Sequence, residues 1–290
     1  MSIGILLSVH DGIVLAADSA STLMLVQSPQ TANQANAVAL NVYNNANKIA
    51  NLYKGASIGC VAYGAGSIGN ASISTLLKDF RRRITKGEAS GFSLTEYTMQ
   101  GVAELLTGFL MQHVDQLAPL PPSVPMPSLG ILLGGYSAGK SLGEGWIIEI
   151  ENGKAKPPRL LREAHEIGIT WGGEGEAIAR LILGFSQNLP QVLQTVIAPE
   201  KRDVIDQLLA LLKPTLQAPV VFAPMPIQDA IDLAEFLVHT AIMYSRFVPG
   251  PQTVGGPIEI AAITKHEGFK WVRRKYYFSD ELNPEPHNDD

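Results

Sequence analysis

Cysteine is nearly absent: Cys60 is the only one in 290 residues. That excludes an internal disulfide and a thiolate metal cluster, and leaves Cys60 as a small core residue in the apolar run Ile58–Ala62. Long hydrophobic runs are missing as well. No stretch reaches the ~18 apolar residues that span a bilayer. Near the start, Asp11 and Asp18 interrupt the apolar residues with no basic segment ahead of them, which is not the pattern of a secretory signal. Charge of one sign is scarce. The formal net charge is -5, and the basic clusters Arg81–Arg83 and Arg273–Lys275 are short and isolated, reading as solvated ends of elements rather than a nucleic-acid surface. These absences suit a cytoplasmic protein without membrane or nucleic-acid partners. What is plentiful is apolar: 46% hydrophobic residues against 17% charged, enough for a sizeable core in one large domain or two.

The first eighteen residues organise the rest. Ile3–Val9 and Ile13–Ala17 are aliphatic runs on either side of His10-Asp11-Gly12, whose Asp-Gly pair suits the positive φ values of a tight turn; the pattern predicts a β-hairpin. A hairpin brings its outer ends together, so Ser2 falls beside Asp18 and Ser19. An initiator Met before a residue as small as Ser is commonly trimmed, which leaves a free amine on the residue that carries the hydroxyl. Such an amine titrates near pH ~8 and can take the hydroxyl proton at neutral pH. The plainer reading of Asp18 is a turn or cap residue at a strand end.

Ser2-Ile-Gly-Ile, the stretch from Asp11 through Asp18 and Ser19 to Thr22, and Asn47-Lys48-Ile49 resemble the opening of the proteasome β-subunit group of N-terminal nucleophile (Ntn) hydrolases, which includes the bacterial HslV peptidase. The resemblance implies Ser2 as nucleophile where the family has Thr, Asp18 as the acid that orients the site, and Lys48 as the lysine that tunes the amine, with Ser19 and Thr22 in support. Lys48 stands further along the chain than its family counterpart, after the polar segment Thr22–Ala46, which reads as an extended loop or irregular strand pair. A lysine at a strand start is otherwise ordinarily exposed.

Lys48–Leu52 and Ala56–Ala62 read as a strand pair. Tyr63-Gly64-Ala65-Gly66-Ser67 then leads into helical spacing over Ile68–Ile84. Glycines at such a corner leave amides unpaired, and the resemblance assigns the oxyanion-binding amide to Gly64, or one residue earlier to Tyr63; a tight turn alone also explains them. Leu94–Leu117 predicts a second helix with Ser93 as cap and Glu96 at capping-box spacing. It runs into the proline-rich 118–127, a stiff connection. Gly134–Ser141 satisfies the Walker A pattern letter for letter. A P-loop must open a helix, however, and Leu142–Glu151 alternates like a strand, so this segment reads as a hairpin connection.

Leu160–Trp171 reads as a continuation of the strand meander, and a second glycine corner, Gly172–Glu176, turns it into a helix over Ala177–Phe185. Glu174 stands where the family has a serine that supports the nucleophile's amine. A carboxylate there favours a protonated amine, or it is simply a helix-start acid. Gln187–Pro226 is extra relative to a minimal family member and contains one amphipathic helix, Glu200–Leu212, bracketed by Pro199 and Pro214. Ile227–Phe247 is a late helix, and strands Pro257–Thr264 and Phe269–Phe278 close the fold. The loop before Gly255-Gly256 lacks the family's Asp and has Pro251 and Val254 instead, so that its support of the site is either missing or replaced by Thr253.

Helices grouped between antiparallel strands fit an α+β protein, and the resemblance implies the four-layer αββα sandwich of Ntn hydrolases. Residues 1–278 read as a single domain with insertions at 23–46 and 187–225, and residues 279–290 as a flexible acidic tail. The implied activity is endopeptidase cleavage of peptides or unfolded protein by Ser2, with no cofactor and no metal, in a homo-oligomeric ring with an ATPase partner. A catalytically inactive ring or scaffold subunit and a P-loop nucleotide binder are the alternatives.

Overall fold

The computed structural model describes residues 2–27, 36–89, 91–117, 126–198 and 202–276. The expected acidic tail at 279–290 and most of the proline-rich connection lie outside them. The chain opens with the hairpin β1 (Ile3–Val9) and β2 (Gly12–Ala17), followed by β3 (Ser21–Gln27), paired among the described residues only with β4 (Asn36–Tyr43). Next come β5 (Ile49–Asn51), β6 (Ile58–Gly64), a two-rung ribbon of β7 (Ser67–Ile68) and β8 (Ala71–Ser72), then helices α1 (Ile73–Thr85) and α2 (Met99–Asp115). The middle is β9 (Leu129–Gly135), β10 (Glu144–Glu151), β11 (Lys154–Ala155), β12 (Arg159–Arg162) and β13 (Gly168–Gly173). Helices α3 (Glu176–Leu183), α4 (Leu189–Val196), α5 (Arg202–Leu216) and α6 (Ile227–Phe247) follow, and β14 (Glu259–Thr264) and β15 (Gly268–Arg273) close the fold. The protein is α+β, with antiparallel sheets. No helix among the described residues is long and apolar enough to cross a membrane.

Two sheets carry the architecture. One has the strand order β13-β1-β2-β14-β15 and the other β11-β10-β9-β6-β5, with β12 also on β10. Strand β1 is apolar but for Ser8 because both of its faces are covered, and successive side chains point to opposite sides. Ile3, Ile5 and Leu7 join Ile178, Leu237 and Val238 in a cluster against α3 and α6. Leu6 turns the other way and meets Ile13, Val61 and Leu132 between the two sheets. A third cluster packs the apolar stripe of α1, Leu76, Leu77 and Phe80, with α2 on the strands β6, β9 and β10. Helical and strand periodicity thus each found a covered face.

Several boundaries differ from expectation for tertiary reasons. The first turn is made by His10 and Asp11 without positive φ, and Gly12 already pairs with Val9. Glycine is needed there because a Cβ would lie 2.8 Å from the Ile263 carbonyl oxygen of the adjoining strand. Helix α1 starts five residues later than its periodicity suggests, since residues 67–72 form the β7–β8 ribbon and Ser72 is the cap, accepting from the Thr75 amide at 3.1 Å. Helix α2 is capped by Thr98 rather than Ser93. The preceding turn is pinned instead by the Met99 amide on Ser137 Oγ at 2.9 Å and the Ala138 amide on the Tyr97 carbonyl at 2.9 Å. Helix α5 passes through Pro214 to Leu216, and α4 is a second helix in the 187–225 segment.

Gly134–Ser141 connects β9 to its antiparallel partner β10, and no helix follows Ser141. The amides that a P-loop directs at phosphates are therefore not assembled, and the nucleotide-binding alternative fails on geometry. Strand β13, read as a continuation of the β9–β10 meander, crosses to the other sheet and pairs with β1. That crossing brings the second glycine corner to the amino terminus.

Candidate active site

The site is built at the outer end of the first hairpin. The register Gly4↔Ala17 carries Ser2 and Asp18 to the same end of the sheet, and both are buried. Asp18 is fully enclosed and its carboxylate is saturated with donors. Oδ1 accepts from the Ile3 amide at 3.0 Å and from Lys48 Nζ, while Oδ2 accepts from the Ala20 and Gly255 amides, each at 3.0 Å. Four donors from four stretches of chain suit an ionised carboxylate with no free lone pair directed elsewhere. The Lys48 side chain is buried too, and burial pushes its pKa down, against the attraction of Asp18.

Ser2 is gripped at both of its ends. The Gly64 amide donates to Ser2 Oγ at 3.0 Å, and the Glu174 amide donates to the Ser2 carbonyl at 2.8 Å. Gly64 sits at φ +92°, where a Cβ would stand 2.6 Å from the Ser128 carbonyl oxygen; only glycine can turn its amide toward Ser2 there. Ser2, Thr22, Lys48, Tyr63, Gly64 and Lys78 line a cleft of about 360 Å³. The Thr22 hydroxyl is buried beside it without a hydrogen-bond partner among the described residues.

The remaining expected residues divide. Ser19 lies behind the cleft: its Oγ donates to the Pro257 carbonyl and its amide to the Gly255 carbonyl at 2.8 Å. Glu174 meets Ser2 through its backbone. The loop before Gly256, which lacks the expected Asp, reaches Asp18 with the Gly255 amide, a backbone donor that needs no particular side chain. Thr253 is buried in the same loop.

Two residues of this layer were not read from the sequence. Glu259 in β14 is 1% exposed, and its Oε2 accepts from the Lys48 amide at 3.4 Å and lies 3.2 Å from Lys275 Nζ. Lys275, taken with Arg273 as a solvated basic end, instead turns inward to Ser19 Oγ at 2.6 Å and the Ala46 carbonyl at 2.7 Å. Burial lowers its pKa. The available signal was Glu259 itself, a lone acid ahead of the apolar run Ile260–Ile263 in β14, because a buried carboxylate calls for a cation.

No family model matches the chain, and no curated protein matches it. The fold is similar to that in a solved structure, the helical assembly of the Anbu complex from Pseudomonas aeruginosa, at 11% identity and a TM-score of 0.56 over 97% of this chain and 90% of that one. At that identity the likeness carries the fold alone. The assignment to the proteasome β-subunit and HslV group, suggested by short matches around Ser2, Asp18 and Lys48, is accordingly corrected: no family-level match supports it, and what the chain shares with a known structure is its architecture.

Proposed function

We propose that this chain is a peptide hydrolase in which Ser2, exposed by removal of Met1, supplies both the nucleophile and the base. The observation that carries this reading is the Gly64 amide on Ser2 Oγ at the edge of a cleft that also holds the Lys48–Asp18 pair. Ser2 Oγ attacks a peptide carbonyl and passes its proton to its own amine, and the negative charge that develops on the carbonyl oxygen forms next to the Gly64 amide. The amine returns the proton to the leaving nitrogen, giving an ester on Ser2 that water then hydrolyses. Lys48 holds a positive charge near the amine and so favours its unprotonated form, while Asp18 keeps Lys48 in place.

The three clusters support a four-layer αββα arrangement: α1 and α2, two facing sheets, then α3 and α6. A single domain over residues 1–278, interrupted at 23–46 and 187–225, follows from that reading. The neighbour's helical assembly favours self-association of this chain as well. A silent assembly subunit is the second reading, favoured by Glu174, whose carboxylate belongs to a residue already bonded to Ser2 and would hold an amine protonated.

Intact-mass measurement tests the choice. Active protein is expected to lack Met1, to gain one adduct with a peptide epoxyketone, and to lose peptide cleavage on Ser2→Ala. Retention of Met1 in active preparations, or cleavage that survives Ser2→Ala, would sink the mechanism; a chain without Met1, adduct or turnover would be the silent subunit.

A further inference from the structure

Beneath the Lys48–Asp18 pair lies a second ion pair that the reaction above leaves unused. Lys275 Nζ reaches Glu259 Oε2 at 3.2 Å, Ser19 Oγ at 2.6 Å and the Ala46 carbonyl at 2.7 Å, which accounts for all three of its donors. Those contacts join three stretches: the end of β2, the segment before β5 that carries Lys48, and β14. The other Glu259 oxygen, Oε1, is buried and has no hydrogen-bond partner among the described residues, so this carboxylate depends heavily on Lys275 for compensation.

The segment that needs holding is the one before β5. Residues 44–48 have no regular structure, and besides Lys275 they are tied down by the Ala46 amide on the Ser19 carbonyl at 2.9 Å, the Ala62 amide on the Lys48 carbonyl at 2.9 Å and the Lys48 amide on Glu259. Without Lys275, Ala46 loses one of its anchors and Glu259 its cation. We infer that Lys275 is a positioning residue for the Ser2 site: it locks Ala46–Lys48 against β2 and β14 so that the Lys48 ammonium meets Asp18, and it balances the charge under the nucleophile. This rests on the reading of Ser2 as an N-terminal nucleophile.

The charge argument sets a direction. Glu259 from β14, Asp18 from the end of β2 and Lys48 ahead of β5 face Lys275 electrostatically. Its neighbour Arg274 turns away over the rings of Trp271 and Tyr276, at 5.0 and 5.2 Å. The charged groups around Ser2 are Asp18, Lys48 and the residue Glu174, with Lys78 of α1 lining the same cleft. Two buried carboxylates, Asp18 and Glu259, are balanced by the buried Lys48 and the half-buried Lys275; removal of one ammonium leaves a net negative layer, which favours the protonated form of an amine at Ser2 and raises its pKa.

The test uses the full chain with Lys275→Met, Lys275→Arg and Glu259→Gln, with Ser2→Ala as blank. Lys275→Met is expected to lower kcat by roughly ten- to a hundredfold, the range for a catalytic group displaced by about an ångström, with KM little changed. The acidic limb of its pH–rate profile moves to higher pH. Lys275→Arg, which keeps the charge, returns the limb to its original position, and Glu259→Gln moves it the other way. A limb that stays fixed in both charge-removing variants overturns the inference, leaving Lys275 a structural residue only. A second readout does not need turnover: acetylation of Lys48 by acetic anhydride, followed by peptide mass spectrometry, should be severalfold faster in Lys275→Met and restored in Lys275→Arg. Unchanged acetylation overturns the positioning role even in an inactive protein. Faster acetylation without Ser2-dependent turnover upholds the positioning of Lys48 while refuting the reading of Ser2.

Discussion

Two glycine corners converge on Ser2, and they are spelled in similar letters. Tyr63-Gly64-Ala65-Gly66 leaves β6, and Gly172-Gly173-Glu174-Gly175 leaves β13. The first donates an amide to the Ser2 hydroxyl, the second to the Ser2 carbonyl. The difference comes from sheet membership. Strand β13 pairs directly with β1, with Gly173 opposite Ile3, so its corner meets Ser2 as an extension of the ladder and can only hold the main chain. Strand β6 belongs to the other sheet, and its corner reaches across the space between the sheets to the side chain. One corner fixes where the residue stands; the other touches the atom proposed to react. Glycine-rich spelling therefore says that amides are free at a turn, and pairing decides which atom they serve.

The site both corners serve can be broken most forcefully at the Lys48–Asp18 pair. Lys48→Met leaves Asp18 buried without its cation and should cost about 3–5 kcal/mol of stability, seen as a lower denaturant midpoint, together with loss of peptide cleavage. At the first corner, Gly64→Ala forces a side chain toward the Ser128 carbonyl and displaces the amide from Ser2 Oγ. A loss of ~10²–10³ in kcat is expected for one oxyanion donor, and an unchanged kcat would remove Gly64 from the mechanism. At the second corner, Glu174→Gln keeps the backbone bond to Ser2, so kcat should change by less than about tenfold while the acidic limb of the pH–rate profile moves slightly down, as expected when a negative charge near an amine is lost. A large loss there would mean the two corners are not divided as described.

The smallest effect concerns the strand under the first corner. Burial pushes the Cys60 thiol in β6 up to about 12, so iodoacetamide at mild alkaline pH should label it only after unfolding. The sign for stability follows. An unfolded thiol ionises near ~8.5 while the folded one keeps its proton to about 12, so between these values the unfolded state gains by releasing a proton and stability falls as pH rises. Cys60→Ala should flatten that part of a stability–pH curve.

The hairpin was legible because two aliphatic runs separated by a short polar stretch have few other ways to bury themselves. The meeting of Ser2 with Asp18 follows from it by geometry. Lys48 was picked out only by the short match Asn47-Lys48-Ile49 to a known group, and against its spacing, since nothing around those letters marks the lysine as buried. Lys275 was misread because a basic run is on average solvated, and only its encounter with Glu259 draws it inward. The cap of α2 and the crossing of β13 were missed because local signals at Ser93 and along Leu160–Trp171 were weaker than the contacts that replaced them.

By itself the amino-acid order determined where side chains alternate or repeat at helical spacing, hence which segments are strands and helices and which faces must be covered, because those properties depend on neighbours along the chain. Sheet membership, the donors to Asp18 from residues 3, 20, 48 and 255, and the burial of Glu259 and its pairing with Lys275 were decided only in the tertiary structure. Hydrogen bonds and desolvation act over a few ångströms of space, and that separation is set by how distant segments pack.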